Sequence, residues 1–260
     1  MRQQQPGRVA LITGAAGGIG QVCAQRLALD GLDIVVADVK AGHETVALIE
    51  KAGRRAQAVN CDVTSPEQVR ALAERVMGSF GRCDILVNNA GMYATASFLE
   101  MSYETWRRYM SVNLDAAFLL SQAFAPQMIE RGWGRIINMA SNSFHLVTAP
   151  GLTGYVTSKG GLIGLTRALA TEVGGYGITV NALAPGPTPT AQLEKSFYEM
   201  SGTRDPAAFQ GVLHQMAQNQ AIKRVATPND MVGTLSFLAS DDAGFVTGQT
   251  IVVDGGWARV

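Results

Sequence analysis

A cluster of glycines set directly after an apolar strand constrains this chain more than any other feature. Val9-Ala10-Leu11-Ile12 reads as a buried strand and runs into Thr13-Gly14-Ala15-Ala16-Gly17-Gly18-Ile19-Gly20. Ile19, Val22, Cys23 and Leu27 then recur at helical spacing. Glycines let the backbone turn tightly and approach a pyrophosphate, and the start of the following helix offers unpaired N–H groups and a positive dipole end. A glycine cluster alone would equally suit an ordinary βα turn. The strand before it and the helix after it supply the context that anion binding needs.

The same alternation continues along the chain. Strands are expected at 34–37, 56–61, 85–87, 135–139, 178–183 and 251–253, with helices at about 44–52, from Ser65-Pro66 onward, at about 103–131 and at 154–173. The strand segments are mostly continuous apolar runs, as in a parallel sheet covered by helices on both faces. The expected fold is therefore α/β: a doubly wound, seven-stranded parallel sheet of Rossmann type in a single domain over 1–260. One long, helix-prone stretch, about 185–222, breaks the rhythm, and 188–220 is expected to act as a substrate lid.

Composition narrows the partners. Lys plus Arg equals Asp plus Glu at 21 each, with no long block of like charge, so neither a nucleic acid nor an anionic membrane is an expected partner. Residues 1–8 lack the apolar core of a signal peptide, and no apolar run approaches the ~20 residues needed to span a bilayer. Cys23, Cys61 and Cys83 form no CxxC pair, which suits free thiols in a reducing, cytoplasmic setting. His43, His145 and His214 are scattered, so no metal is expected.

A second cluster lies further on. In Tyr155-Val156-Thr157-Ser158-Lys159 the tyrosine and lysine are four apart, on one face of a helix. A free tyrosine, with a pKa of ~10, is a poor base near neutrality, and a nearby ammonium would stabilise its phenolate. The preceding strand ends Asn138-Met139-Ala140-Ser141, at the edge where open α/β sheets bind ligands, and Ser141 could donate a hydrogen bond to a substrate oxygen. Asp38 closes the second strand, 18 residues after Gly20. An acid there accepts hydrogen bonds from ribose hydroxyls and repels a 2′-phosphate.

Taken together, these motifs resemble the short-chain dehydrogenase/reductase family over nearly the whole chain. Gly14, Gly18 and Gly20 give its GxxxGxG pattern, with Gly17 and Ile19 in the same turn. Asn88-Asn89-Ala90-Gly91 is similar to its NNAG. Thr247 to Gly256 is similar to its TGxxxxVDGG. The resemblance implies a catalytic tetrad of Asn113, Ser141, Tyr155 and Lys159. It also implies NAD as cofactor, held by Asp38, Asp62, Val63, Asn89, Ala90, Gly91, Tyr155, Lys159, Pro185, Gly186, Thr188 and Thr190 in addition to the glycine turn. Ser141 stands 14 residues before Tyr155, where many members show 13, a spacing that would land on Asn142; Ser143 is a further polar candidate.

Ser143, Tyr93, His145 and Leu152 are the expected substrate contacts. The segments around Ser141, Tyr155 and Phe80-Gly81-Arg82-Cys83-Asp84 resemble members that use NAD to oxidise an alcohol attached to an aromatic ring. The expected substrate is thus a small apolar alcohol or its ketone, interconverted by hydride transfer with Tyr155 as acid/base. A reductase of 3-oxoacyl groups on acyl carrier protein is the alternative enzyme, and an NAD-bound regulator the non-enzymatic one. The resemblance also implies a homotetramer, paired through the helices at 103–131 and 154–173. Ala116-Ala117, Phe118 and Gly160-Gly161 are expected on their exposed faces.

Overall fold

The computed structural model describes residues 7–147 and 149–259. Most of the stretch read above as lacking a signal peptide's apolar core, namely residues 1–6, lies outside the described residues, as do 148 and 260. Seven strands form one parallel sheet in the order β3-β2-β1-β4-β5-β6-β7. They are β1 (Val9–Thr13), β2 (Asp33–Asp38), β3 (Ala56–Asn60), β4 (Ile85–Asn88), β5 (Gly134–Met139), β6 (Ile178–Pro185) and β7 (Thr250–Val253). Every residue of β1, β4, β5 and β6 is buried, whereas the edge strands β3 and β7 are partly exposed. That is why the central strands read as mostly apolar runs.

Alternate residues of each strand feed opposite faces. Leu11, Leu86, Ile136 and Val180 stand in one row across β1, β4, β5 and β6 and join the core on one side. That side is covered by α3 (Pro66–Phe80), α5 (Ala116–Arg131) and α6 (Thr153–Val173). Ile12, Val87 and Ile137 point the other way, beneath α1 (Gly18–Leu29), α2 (His43–Lys51) and α9 (Val232–Leu238). Between β5 and α6 runs an irregular loop. Between β6 and β7 lie α7 (Ala191–Ser201) and α8 (Pro206–Ala217).

Two expectations are corrected. The helix expected over 103–131 is α4 (Tyr103–Met110), a π-turn (Ser111–Asp115) and α5. Ala116 and Ala117 are buried, Ala116 in the core itself, so of that trio only Phe118 presents an exposed apolar surface. Nor are Gly160 and Gly161 bare. A Cβ on Gly161 would stand 2.8 Å from the Leu114 side chain and one on Gly160 3.3 Å from the Phe144 ring, so both glycines admit neighbours from the same chain.

Candidate functional site

The sheet order reverses between β1 and β4, and the crevice at their C-terminal ends is where ligands of open α/β sheets bind. The glycine turn sits there. Gly14 and Gly18 have φ of +64° and +59°, a region side chains avoid. A Cβ on Gly14 would lie 2.8 Å from the Ala90 Cα, and one on Gly20 2.4 Å from the Gly14 carbonyl oxygen. Thr13 ties the two strand ends together, its Oγ1 accepting from the Asn89 and Ala90 N–H groups at 3.1 and 3.0 Å. Asn89 donates to the Thr13 and Gly14 carbonyls.

The residues present fit a nucleotide pyrophosphate. Helix α1 opens on Gly17 with no side-chain cap and no acid in its first turn, and a Cβ on Gly17 would meet open space. An uncapped, acid-free helix start favours an anion. Asp38 stands beside it, its carboxylate accepting from the Ala16 N–H at 2.9 Å and from the Lys40 N–H at 2.9 Å. Asp62 accepts from the Thr64 N–H and hydroxyl, and Val63 next to it is buried. Across the crevice Pro185 ends β6. Gly186 packs against Asp254, and the Thr188 hydroxyl donates to the Gly186 carbonyl. Thr190 caps α7 and reaches to 3.7 Å from the Cβ position of Gly18, so the segment opening α7 lies over the glycine turn. Ile19 packs against the core beneath α1.

The second cluster gathers at the ends of β4 and β5. Lys159 is buried, and its Nζ donates to the Met139 carbonyl at 2.6 Å, 6.0 Å from the Tyr155 ring centre. Desolvation lowers the ammonium to about 8. Burial pushes the Tyr155 phenol up to about 12, while hydrogen bonding with Ser141 pulls it down. The expectation that the lysine depresses the phenol is not met in the chain alone: the ammonium is engaged with the Met139 carbonyl, and desolvation of the phenol dominates. Ser141 faces Tyr155 and also contacts Ser143, Oγ to Oγ at 3.0 Å. Asn142 turns away and donates to Asp254 at 3.1 Å, which separates the two candidates left by the 13- and 14-residue spacings.

The π-turn aims Asn113 into the interior. Its Oδ1 accepts from the Met92 N–H at 2.8 Å, and its Nδ2 donates to the Met92 carbonyl and to Ser158 Oγ. Gly91 leaves room for this, since a Cβ there would stand 3.2 Å from Asn113 Oδ1 and 3.5 Å from Lys159 Nζ. Of the expected substrate contacts, Tyr93 packs edge-on against Tyr155 with ring centres 4.9 Å apart, and Ser143 adjoins Ser141. His145 is exposed and stacks edge-on with Phe144. Leu152 is buried at the start of α6, its carbonyl accepting from the Val156 N–H.

Ser158, Ser196 and Asp254 were missed as site residues. Ser158 had a local signal, three residues after Tyr155 on the same helix, and it donates to the Tyr155 carbonyl. The other two reach the site only through the fold. Among the described residues no group of three or more His, Cys, Asp or Glu is placed to hold a metal, and no helix is long and apolar enough to cross a membrane. The three cysteines are free and buried.

Comparison with known proteins places this site in context. A sequence family described as enoyl-(acyl carrier protein) reductase matches residues 14–258. The (2S)-[(R)-hydroxy(phenyl)methyl]succinyl-CoA dehydrogenase subunit BbsD of Thauera aromatica is 38% identical over 251 residues, 96% of either chain. An NAD+-bound xylitol dehydrogenase superposes with a TM-score of 0.88 at 33% identity, over 96% of this chain and 99% of the other. A structure from Beutenbergia cavernae, described as a candidate NAD(P)-dependent gluconate 5-dehydrogenase with NADP at low occupancy, matches at 38% identity and a TM-score of 0.86. That match covers 99% of both chains. The chain belongs to the short-chain dehydrogenase/reductase family.

Proposed function

We propose that this oxidoreductase uses NAD to interconvert a small, apolar alcohol, its carbinol next to an aromatic ring, and the matching carbonyl compound. Tyr155 is the acid/base. One observation carries the reading: a half-buried tyrosine, facing Ser141 and edge-packed by a second aromatic ring, stands at the strand ends beside the bare glycine turn. The glycine turn would hold the pyrophosphate, Asp38 the adenosine ribose, and Lys159 with Tyr155 the nicotinamide ribose. Bound there, the nicotinamide supplies the site that takes or gives the hydride.

The chain's own groups handle the proton. With its phenol raised to about 12, Tyr155 is protonated at neutral pH and donates to a substrate carbonyl oxygen; the reverse reaction needs its phenolate. Ser141 orients that oxygen, with Ser143 fixing the Ser141 hydroxyl through its own Oγ and N–H. Asn113 and Ser158 link Lys159's surroundings to the segment after β4. Asp38, with no cation before Gly18, supports NAD over NADP.

The substrate reading draws on the ring of Tyr93 and on helices α7 and α8, which we assign as the lid. Phe197, Tyr198 and Phe209 form an aromatic cluster there. The Thauera relative's name denotes a carbinol bearing a phenyl group, which points the same way. The description of the matching family favours testing acyl thioesters as well. Against them, the lid cations are already engaged: Lys195 pairs with Glu199, and Arg204 lies 6.0 Å over the Tyr198 ring. We further assign the chain to the cytoplasm, as one domain in a homotetramer; a monomer mass by light scattering would refute the assembly.

The test compares kcat/KM for 1-phenylethanol, a sugar alcohol and a 3-hydroxyacyl thioester with NAD. Preference for either of the last two overturns the substrate assignment. Tyr155→Phe is expected to lose ~10²-fold or more in turnover while NADH still binds, as for removal of a general acid/base. A Tyr155→Phe enzyme with most of its activity removes Tyr155 from that role.

A further inference from the structure

Residues 91–94 follow β4 without regular structure, yet each of their four carbonyls accepts a side-chain hydrogen bond. Gln192 of α7 donates to the Gly91 carbonyl at 3.1 Å, and Ser196 of α7 to the Tyr93 carbonyl at 2.8 Å. The carbonyls between and after them go elsewhere. Met92 accepts from Asn113 of the π-turn at 3.1 Å and Ala94 from the Tyr109 hydroxyl of α4 at 2.7 Å. In an extended chain successive groups face opposite sides. This segment is therefore a strap stretched between two bodies, α7 on one side and the α4–π-turn on the other. The body on the second side is fixed: Tyr109 is fully buried, and Asn113 holds Met92 through both its N–H and its carbonyl. The body on the first side packs less deeply, with Ser196 the buried residue of α7. The strap carries one ring into the site, that of Tyr93, at 82° to Tyr155 and 4.9 Å between centres.

We propose that this strap is the link by which α7 sets the orientation of the Tyr155 phenol, with Tyr93 as positioning residue and Ser196 as the latch. A substrate that settles α7 against the strap would thereby square the phenol to its own oxygen, and one that leaves α7 displaced would meet a misaligned proton donor. The consequence for turnover rests on the acid/base reading of Tyr155; the mechanical link does not. Misplacement by about 1 Å is enough to cost a site up to ~10²-fold in rate.

The experiment uses the whole chain labelled with 13C-tyrosine, in which Tyr155 is one of six ring signals and is assigned by its loss in Tyr155→Phe. An edge-packed ring displaces its neighbour's signal, so Tyr93→Leu is expected to move the Tyr155 resonance. Ser196→Ala, which touches neither ring, is expected to move it in the same direction. Ser196→Thr, which keeps the hydroxyl, is expected to restore it. With 1-phenylethanol and NAD, Ser196→Ala is expected to lower kcat about tenfold, with the KM for NAD unchanged, and to have no further effect in a Tyr93→Leu background. A Tyr155 signal unmoved by Ser196→Ala, or equal Ser196→Ala effects in both backgrounds, overturns the link. If Tyr155→Phe stays active, the acid/base reading fails, and the resonance shifts still decide the link. If Tyr93→Leu does not fold, Ser196→Ala against Ser196→Thr decides it alone.

Discussion

The two walls of the crevice are held by different kinds of contact. On the cofactor side, main chain packs on main chain: the Cβ positions of Gly14 and Gly20 fall 2.8 and 2.4 Å from backbone atoms, and Thr13, Asn89 and Asp38 tie down backbone N–H and carbonyl groups. On the substrate side, side chains from distant segments do the holding. Ser196 and Gln192 reach across to the strap, Phe197 and Tyr198 lean on Phe209, and Met200 and Val147 remain largely exposed. A wall built from backbone proximity has few sequences that satisfy it. A wall built from interdigitated side chains has many, which suits a surface that must differ from one substrate to the next.

The contrast breaks most visibly at the glycines. Gly20→Ala is expected to abolish NAD binding, or folding with it, because its methyl group would meet the Gly14 carbonyl and the Ala15 Cα and neither can retreat. Calorimetric titration with NAD checks this, and retained affinity would show the turn to be softer than drawn. Asp38→Ser should come next. It removes the charge that opposes a 2′-phosphate and also the acceptor for Ala16, so the preference for NAD should narrow by at least ~10-fold while NAD affinity itself falls. Comparable kcat/KM for NAD and NADP in the unaltered enzyme would remove the basis of this expectation.

Lys159 stands where the walls meet, and its effect is smaller and depends on pH. Its ammonium is lowered from an ordinary 10.5 to about 8 in the folded chain. Between those values the unfolded chain binds more protons, so stability rises with pH across that window and is lost again on return to neutrality. The shift corresponds to a penalty on the order of 3 kcal/mol at neutral pH. Lys159→Met should therefore lose activity yet lose this pH-dependent rise, as followed by thermal unfolding of the cofactor-free protein. Tyr155 acts oppositely: raised from 10.0 to about 12, it favours the folded chain until the unfolded phenol ionises near pH 10, so its contribution shrinks as pH rises from there to about 12. The smallest effect is expected in α8. Gly211 is an exposed position inside α8 with nothing within 4 Å of its Cβ site. Gly211→Ala should raise stability by about 0.5–1 kcal/mol through helix propensity, leaving NAD affinity unchanged. A large loss there would mean that α8 is as tightly specified as the glycine turn.

How far the sequence disclosed the molecule follows the same division. The central strands announced themselves because burial on both faces leaves mostly apolar residues, and the glycine turn because its backbone excludes side chains. The Tyr155–Lys159 pair was visible because one helix carries both. Helix α9 escaped notice: seven residues without a side-chain cap are too short for a periodic signal, and Leu235 and Leu238 form it only because a core already waits for them. The stretch 188–220 gave only a general helical tendency; its division into α7 and α8 turns on Gly202 at φ +70° and the Asp205 cap. Asp254 lay inside the TGxxxxVDGG segment but without a role, and Ser196 had no local signal at all, because what makes each matter is a partner about a hundred residues away. Ala116 and Ala117 were placed on the wrong side because the π-turn before them shifts the phase of the helix.

That shift has a consequence for how the gene tolerates change. A π-turn accommodates one residue more than the α-helix it interrupts, and an α-helix turns by roughly 100° per residue. Deleting a single codon within 111–115 would let α4 run directly into α5 as one α-helix. It would leave α4 and α5 close to their present orientation, because the π-turn already absorbs its extra residue, but it would remove the local widening that aims Asn113 at Met92. A length change that an ordinary helix would reject as damage would here improve the helix and dismantle the site. Insertions and deletions at this point should accordingly separate folding from activity more cleanly than any substitution.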